Sequence, residues 1–207
     1  MKLTRDQLRL IGTLFRQYGI RSVTMDDISK SLGISKKTLY EAFPSKEELL
    51  NYIIEEWIKI MQDSTCEEKA LKQSANAIDE IVTILKHLST SMHNINPIFF
   101  WELEKYYPEQ AKKINEFREK YISEKIRKNL EKGIAEKLYR SDINIDIVVM
   151  IYKQLVRSFP QLLQEDNLKD KFGVIIIMKE IYYYHLNAIV NEEGRKYLNE
   201  ILKTSEI

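Results

Sequence analysis

An all-α fold is predicted by three observations. The 207 residues include only six Gly and four Pro, which leaves little room for the turns of an all-β chain. Apolar residues recur at helical rather than alternating spacing along most of the length. Residues 22–50, SVTMDDISKSLGISKKTLYEAFPSKEELL, carry three helix-start signals in succession. The expected architecture is an N-terminal three-helix helix-turn-helix head, residues 1–48, followed by a larger helical body, residues 49–207.

The first helix is expected from near Thr4 to Tyr18, with Leu8, Ile11, Phe15 and Tyr18 on one face and Gly19 as terminator. Thr24, Ser35 and Ser45 are each suited to cap a helix. Each has an apolar residue just before it and another near the end of the first turn: Val23 and Ile28, Ile34 and Leu39, Pro44 and Leu49. This staple spacing sets the angle at which the chain enters a helix, and Thr24–Asp27 and Ser45–Glu48 also fit the reciprocal capping box. Gly33, between Leu32 and Ile34, suits the left-handed conformation of a tight turn. Two short helices joined by such a turn describe a helix-turn-helix, whose second helix enters the DNA major groove. Ile28, Leu32, Leu39 and Phe43 complete the expected core of the head.

After Ser45 a fourth helix runs through Leu49, Tyr52, Ile53, Ile60 and Met61, with a break expected in the polar stretch 62–68. A fifth fits Ala70 to about Met92, and Asn94–Pro97 interrupts it. An aromatic segment, Phe99-Phe100-Trp101, leads to Tyr106-Tyr107-Pro108 and then to a long charged helix that Gly133 is expected to end. Its alternating charges read as a solvated surface. Asn144 caps the next helix, with Ile147 or Val148, Ile151 and Leu155 as its stripe and Pro160 as its bend or end. The last long helix, about Lys169 to Ile189, is apolar on nearly every side. Such a helix must be buried all round, either as a central core helix or against a second copy of the chain.

Leu14-Phe15, Tyr18-Gly19, TMDDIS (24–29), LGISKKTLY (32–40) and FPSKEEL (43–49) together resemble the N-terminal domain of TetR-type transcriptional regulators. The resemblance covers about Leu8 to Leu50 and is specific because the flanking helices are in register with the helix-turn-helix. It implies a dimeric repressor whose last two long helices pair with those of its mate as a four-helix bundle. It further implies a ligand pocket in the body whose occupation swings the fourth helix and changes the spacing of the two heads. The heads must sit about 34–36 Å apart to enter successive major grooves of a palindromic operator.

Thr24 and Ser35 stand at helix starts, where hydroxyls, free amides and the positive dipole end favour a phosphate. Tyr40 and Lys46 can each reach another phosphate, and the resemblance implies the same four roles. Lys36, Lys37 and Thr38 occupy the first turn of the recognition helix, where a lysine can donate to guanine and a Thr methyl can touch thymine. The bland reading of Ser35–Tyr40 is a capped surface helix, which does not itself require Lys-Lys and Tyr together. Two departures stand out. Lys37 lies where members often carry a small residue, and Glu41-Ala42 where they often carry an aromatic and a histidine. One common backbone contact is therefore missing at Ala42, while Glu41 is either a surface charge or an acceptor for a cytosine amino group.

Composition bounds the rest. With 44% apolar and 30% charged residues the chain is an ordinary globular protein. The net charge of +1 hides an asymmetry: residues 1–50 hold nine Lys/Arg against six Asp/Glu, and a DNA footprint is a local patch. The single Cys66 fits a reducing cytoplasm and an inert buried thiol. No apolar run approaches the ~18 residues of a membrane span. The pocket candidates are Phe99, Phe100, Trp101, Tyr106, Tyr107, Tyr121, Met150 and Tyr152, since small-molecule sites are mostly apolar and aromatic; core packing is the alternative for each. No cofactor, metal site or enzymatic motif is expected: His87, His93 and His185 are scattered, and no nucleophile elbow or Gly-rich phosphate loop occurs. The competing reading of the body is a surface that docks a protein partner.

Overall fold

The computed structural model describes residues 2–62, 73–92, 96, 98–162 and 171–204. Cys66 and the expected helix break at 62–68, apart from Gln62, lie outside them. The described residues are helical, with one isolated antiparallel bridge between Tyr139 and Val190. In order they form α1 (Arg5–Tyr18), α2 (Met25–Leu32), α3 (Lys36–Ala42), α4 (Lys46–Gln62), α5 (Ala77–Met92), α6 (Ile98–Tyr106), α7 (Pro108–Ala135), α8 (Ile145–Leu162), α9 (Val174–Ile189) and α10 (Glu192–Thr204). They group into two compact units, Met1–Ser64 with Asn94–Phe117 and Thr65–His93 with Arg118–Ile207. Compactness thus places α6 and the start of α7 with the head helices.

In the first unit the head forms as its caps dictate. Thr4 and Thr24 make complete capping boxes with Gln7 and Asp27, and Ser45 Oγ accepts from the Glu48 amide at 3.1 Å. Gly33 takes the left-handed conformation, φ 66° and ψ 28°, at the turn into α3. Leu8, Ile11, Phe15, Ile28, Leu39, Phe43, Leu49 and Leu50 are buried in one cluster, with Leu32 packed at its edge. Burying each such side chain contributes roughly 1.5–3 kcal/mol. Tyr18, expected on the buried face, is 60% exposed; the buried residues of α1 are Leu8, Ile11 and Phe15. The amide of Lys113 in α7 is not what ties that helix to α4; its Nζ is, donating to Asn51 Oδ1 at 2.7 Å and Glu55 Oε1 at 2.9 Å.

The second unit packs Ala77, Ile78, Ile81, Leu130, Tyr139, Leu186, Ile189 and Leu198 into a second core. A polar network crosses it. Tyr139 Oη donates to Asn129 Oδ1 at 2.9 Å, and Asn129 Nδ2 donates to the Ala77 carbonyl at 2.8 Å and to Glu80 at 3.0 Å. Asn76 caps α5 through the Ile78 and Asp79 amides, and Asn144 caps α8 through Ile147 N–H, as expected.

The ends of α7 and α9 differ from the sequence expectation, and that of α8 excludes one of the two roles expected of Pro160. α7 runs through Gly133 to Ala135; the glycine is there because an added Cβ would fall within the ring of Tyr139. α8 continues through Pro160 to Leu162. α9 begins at Val174, behind Gly173 at φ 76°. The buried side of α8 is also different: Val149, Tyr152 and Phe159 face inward, while Ile147, Met150 and Ile151 are exposed.

Candidate nucleic-acid interface

α3 is seven residues long and presents its first turn to solvent. Ser35 Oγ accepts from the Thr38 amide at 3.0 Å and pairs with Thr38 Oγ1 at 2.8 Å. The cap therefore orients Thr38 as well as starting the helix. Only Leu39 in this helix is buried; it anchors α3 to the core and leaves the rest of the helix outward.

The cations on this face differ in freedom. The Lys37 side chain is 86% exposed and meets only Glu41, at 3.8 Å. Lys36 reaches Asp26 at 2.6 Å, and this partner holds its pKa above the usual lysine value. Both pairs are solvent-exposed, so separating them for another anion costs little. Glu41 is thereby a surface charge paired along its own helix. Tyr40 is exposed, with its ring available one turn on.

Thr24 Oγ1 accepts from the Asp27 amide at 3.1 Å and donates to Asp27 Oδ2 at 2.6 Å. Its hydrogen bonds hold the Asp27 carboxyl below the ordinary carboxylate range. Lys46 is placed otherwise than the sequence suggested. Its Nζ donates to the carbonyls of Ile20 (2.9 Å), Arg21 (3.1 Å) and Val23 (3.0 Å). An ammonium has three donors, and all three are used on the α1–α2 connection. Burial lowers the Lys46 pKa, with Glu102 acting in the opposite direction.

Glu102 is the residue that sequence reasoning missed. It is 4% exposed and accepts from the Arg21 amide at 2.9 Å. Its signal was a carboxylate directly following the aromatic run Phe99-Phe100-Trp101. The pocket candidates divide between the two units. Phe99, Phe100, Trp101, Tyr106 and Tyr107 belong to the first unit, where Phe99 and Tyr107 pack on the head's core. Trp101 and Tyr106 are exposed, with Lys105 over both rings. Tyr121, Met150 and Tyr152 belong to the second unit. Met150 is 59% exposed. Tyr152 is buried against the edge of the His185 ring, 4.4 Å away, and Tyr152 Oη and His185 Nε2 are both enclosed without a hydrogen-bond partner.

Residues 13–53 match the family described as bacterial regulatory proteins, tetR family. The chain is 26% identical over 148 residues to the transcriptional repressor KstR2 of Rhodococcus jostii, covering 69% of this chain and 70% of that one. The chain thus carries the helix-turn-helix head of TetR-type transcriptional regulators. A further TetR-type relative, the uncharacterised regulator YvaF of Bacillus subtilis, is 32% identical over 96 residues, 45% of this chain and 48% of that protein; the chain thus matches about half the length of YvaF. The TetR-like fold extends over the whole chain. A putative transcriptional regulator of Saccharomonospora viridis, solved in complex with choline, matches with TM-score 0.65 and 18% identity over 91% of this chain and 97% of that one. TetR-family members are regulators rather than enzymes, typically repressors with ligand-binding bodies. Among the described residues no helix is long and apolar enough to cross a membrane, and no three His, Cys, Asp or Glu side chains are grouped to hold a metal ion.

Proposed function

We propose that this protein is a TetR-family regulator, a cytoplasmic homodimeric repressor that binds a palindromic operator and leaves it when a small apolar or aromatic ligand occupies the helical body. The observation that carries the reading is α3 itself, a capped helix that shows Lys36, Lys37, Thr38 and Tyr40 to solvent while Leu39 anchors it. Lys36, Lys37 and Thr38 would meet base edges, and Thr24, Ser35 and Tyr40 the phosphates. Lys46, whose three donors are engaged, would serve DNA binding by holding the Ile20–Val23 connection behind Thr24.

Two observations support the rest. Ile147, Met150 and Ile151 on α8, with Ile176 and Tyr184 on α9, are exposed. Apolar faces on two successive long helices suit a surface that a second copy covers. Inside the second unit, Tyr152 Oη and His185 Nε2 lack partners. Leaving a buried polar group unpaired costs about 1–3 kcal/mol, so an apolar ligand bearing a single hydrogen-bonding group would fit there. The test is selection from random duplex fragments at moderate salt. The expected product is an inverted repeat with half-sites one helical turn apart; recovery of no enriched sequence overturns the proposal.

A further inference from the structure

The α1–α2 connection is held from two sides by side chains that its own sequence does not supply. Gly19 ends α1 at φ 84°, and a Cβ there would lie 2.9 Å from Glu102 Oε2 and 3.2 Å from Ile98 Cγ2. Two residues on, the Arg21 amide donates to the same carboxylate oxygen at 2.9 Å, and the Arg21 guanidinium lies 4.4 Å from the centre of the Tyr106 ring. Just before α6, the Asn96 amide donates to the Arg16 carbonyl at 2.7 Å. α6 thus meets the end of α1 at its first residue, at Glu102 and at Tyr106. On the other side Lys46 Nζ takes the carbonyls of Ile20, Arg21 and Val23. The backbone groups so held, from the Arg16 carbonyl to that of Val23, all precede Thr24, the cap of α2, by eight residues or fewer.

The chemistry explains why a carboxylate stands in an apolar helix. A buried ionised group is tolerated only where donors and an opposite charge satisfy it. Arg21 N–H supplies the donor, and the Lys46 ammonium supplies the opposite charge. Lys46 in turn neutralises three carbonyl dipoles that no helix pairs. Carboxylate, loop and ammonium form one layered unit, and removing the carboxylate takes the acceptor from the part-buried Arg21 amide.

We infer that Glu102 is a positioning residue for DNA binding: through the Arg21 amide it sets the α1–α2 connection and, with Lys46, the place of the Thr24 cap at the DNA face. The inference rests on the proposed DNA-binding reading. It makes α6 a handle on the head, because a displacement of α6 larger than the tolerance of one hydrogen bond frees the loop.

The test compares Glu102→Gln, which keeps an acceptor for Arg21 N–H, with Glu102→Met, which fills the space without one. Each full-length variant is titrated with the duplex that the wild type selects and with random duplex, well below its melting temperature. Glu102→Gln should bind the selected duplex within about threefold of wild type, and Glu102→Met about tenfold more weakly. A side chain that only fills space would leave the two variants alike, and equal affinity for both overturns the assignment. Hydrogen exchange of the wild-type Arg21 amide gives an independent measure, also usable where Glu102→Met does not fold. Protection matching the interior amides of α1 is expected, and exchange at the rate of an open loop overturns the clamp. A protein that selects no duplex yet protects this amide defeats the operator reading and leaves the clamp standing as a structural contact only.

Discussion

Lys37 and His185 show how one side chain's surroundings decide what it can do. Lys37 is the freest cation of α3, and its only neighbour of opposite charge is a surface glutamate. Lys37→Ala should therefore leave stability unchanged and cost about 1–3 kcal/mol on the selected duplex, relaxing one base preference. Titration against single-base variants of that duplex measures this, and an unchanged preference profile removes Lys37 from the base contacts. His185 is the opposite case. Burial lowers its pKa to about 4 from 6.5, so the unfolded chain binds its proton first as pH falls. Its neutral form is fully compatible with the fold above about pH 6.5, and stability drains away between 6.5 and 4. The shift corresponds to roughly 3 kcal/mol. The gap in unfolding free energy between wild type and His185→Leu should therefore narrow or reverse across that window, as followed by urea titration at several pH values. A gap independent of pH contradicts the burial argument.

At the scale of elements, the tight packing of helices around glycine gives a sharper expectation than helix propensity alone. An alanine at position 133 would normally favour the helix by about 1 kcal/mol over glycine. Here its Cβ would overlap the Tyr139 ring and push Tyr139 Oη off Asn129, whose amide also binds Ala77 and Glu80. Overpacking of this kind costs typically 1–3 kcal/mol, so Gly133→Ala should destabilise the protein despite its better propensity. Chemical denaturation checks this, and a more stable variant means the ring moves aside freely. The same contrast explains which elements were legible. The head's caps and its Gly33 turn are chemistry between residues two to four apart, and Thr24, Ser35, Ser45 and Gly33 behave as their spacing implies. The end of α7 depends instead on the Tyr139 ring, which folds back on Gly133 from six residues on, a packing contact that propensity and capping signals do not report. The site divides along the same line. The exposure of Ser35–Tyr40 could be read because a short capped helix with one apolar anchor must show the rest of its surface to solvent. Glu102 could not, since its donor is Arg21, 81 residues away. Aromatic composition likewise does not separate pocket lining from core. Phe99 and Tyr107 have the same composition as pocket lining but face the core of the head.

For the whole molecule, binding strength is expected to come from pairing rather than from charge. The net charge is only +1, and several head cations already have intramolecular partners. One head alone should bind weakly. Two heads joined rigidly gain through effective concentration, about 10²–10⁴-fold over one. The exposed faces of α8 and α9 suit that joining, with Tyr184 82% exposed and Ile151 and Ile176 about half exposed. A glutamate at positions 151 and 176 would place charges where a four-helix contact must be dry. The variant carrying Ile151→Glu and Ile176→Glu should keep its helical content, sediment as a monomer at micromolar concentration and lose most of that gain on the palindrome. Its affinity for a single half-site should match that of wild type, because α3 is untouched. Spacing supplies the complementary measurement. Inserting about five base pairs between the half-sites turns the two grooves to opposite faces of the duplex, and wild-type affinity should fall to the level of the monomeric variant. Should wild type sediment as a monomer, or bind the lengthened site undiminished, the two heads do not act as one rigid pair.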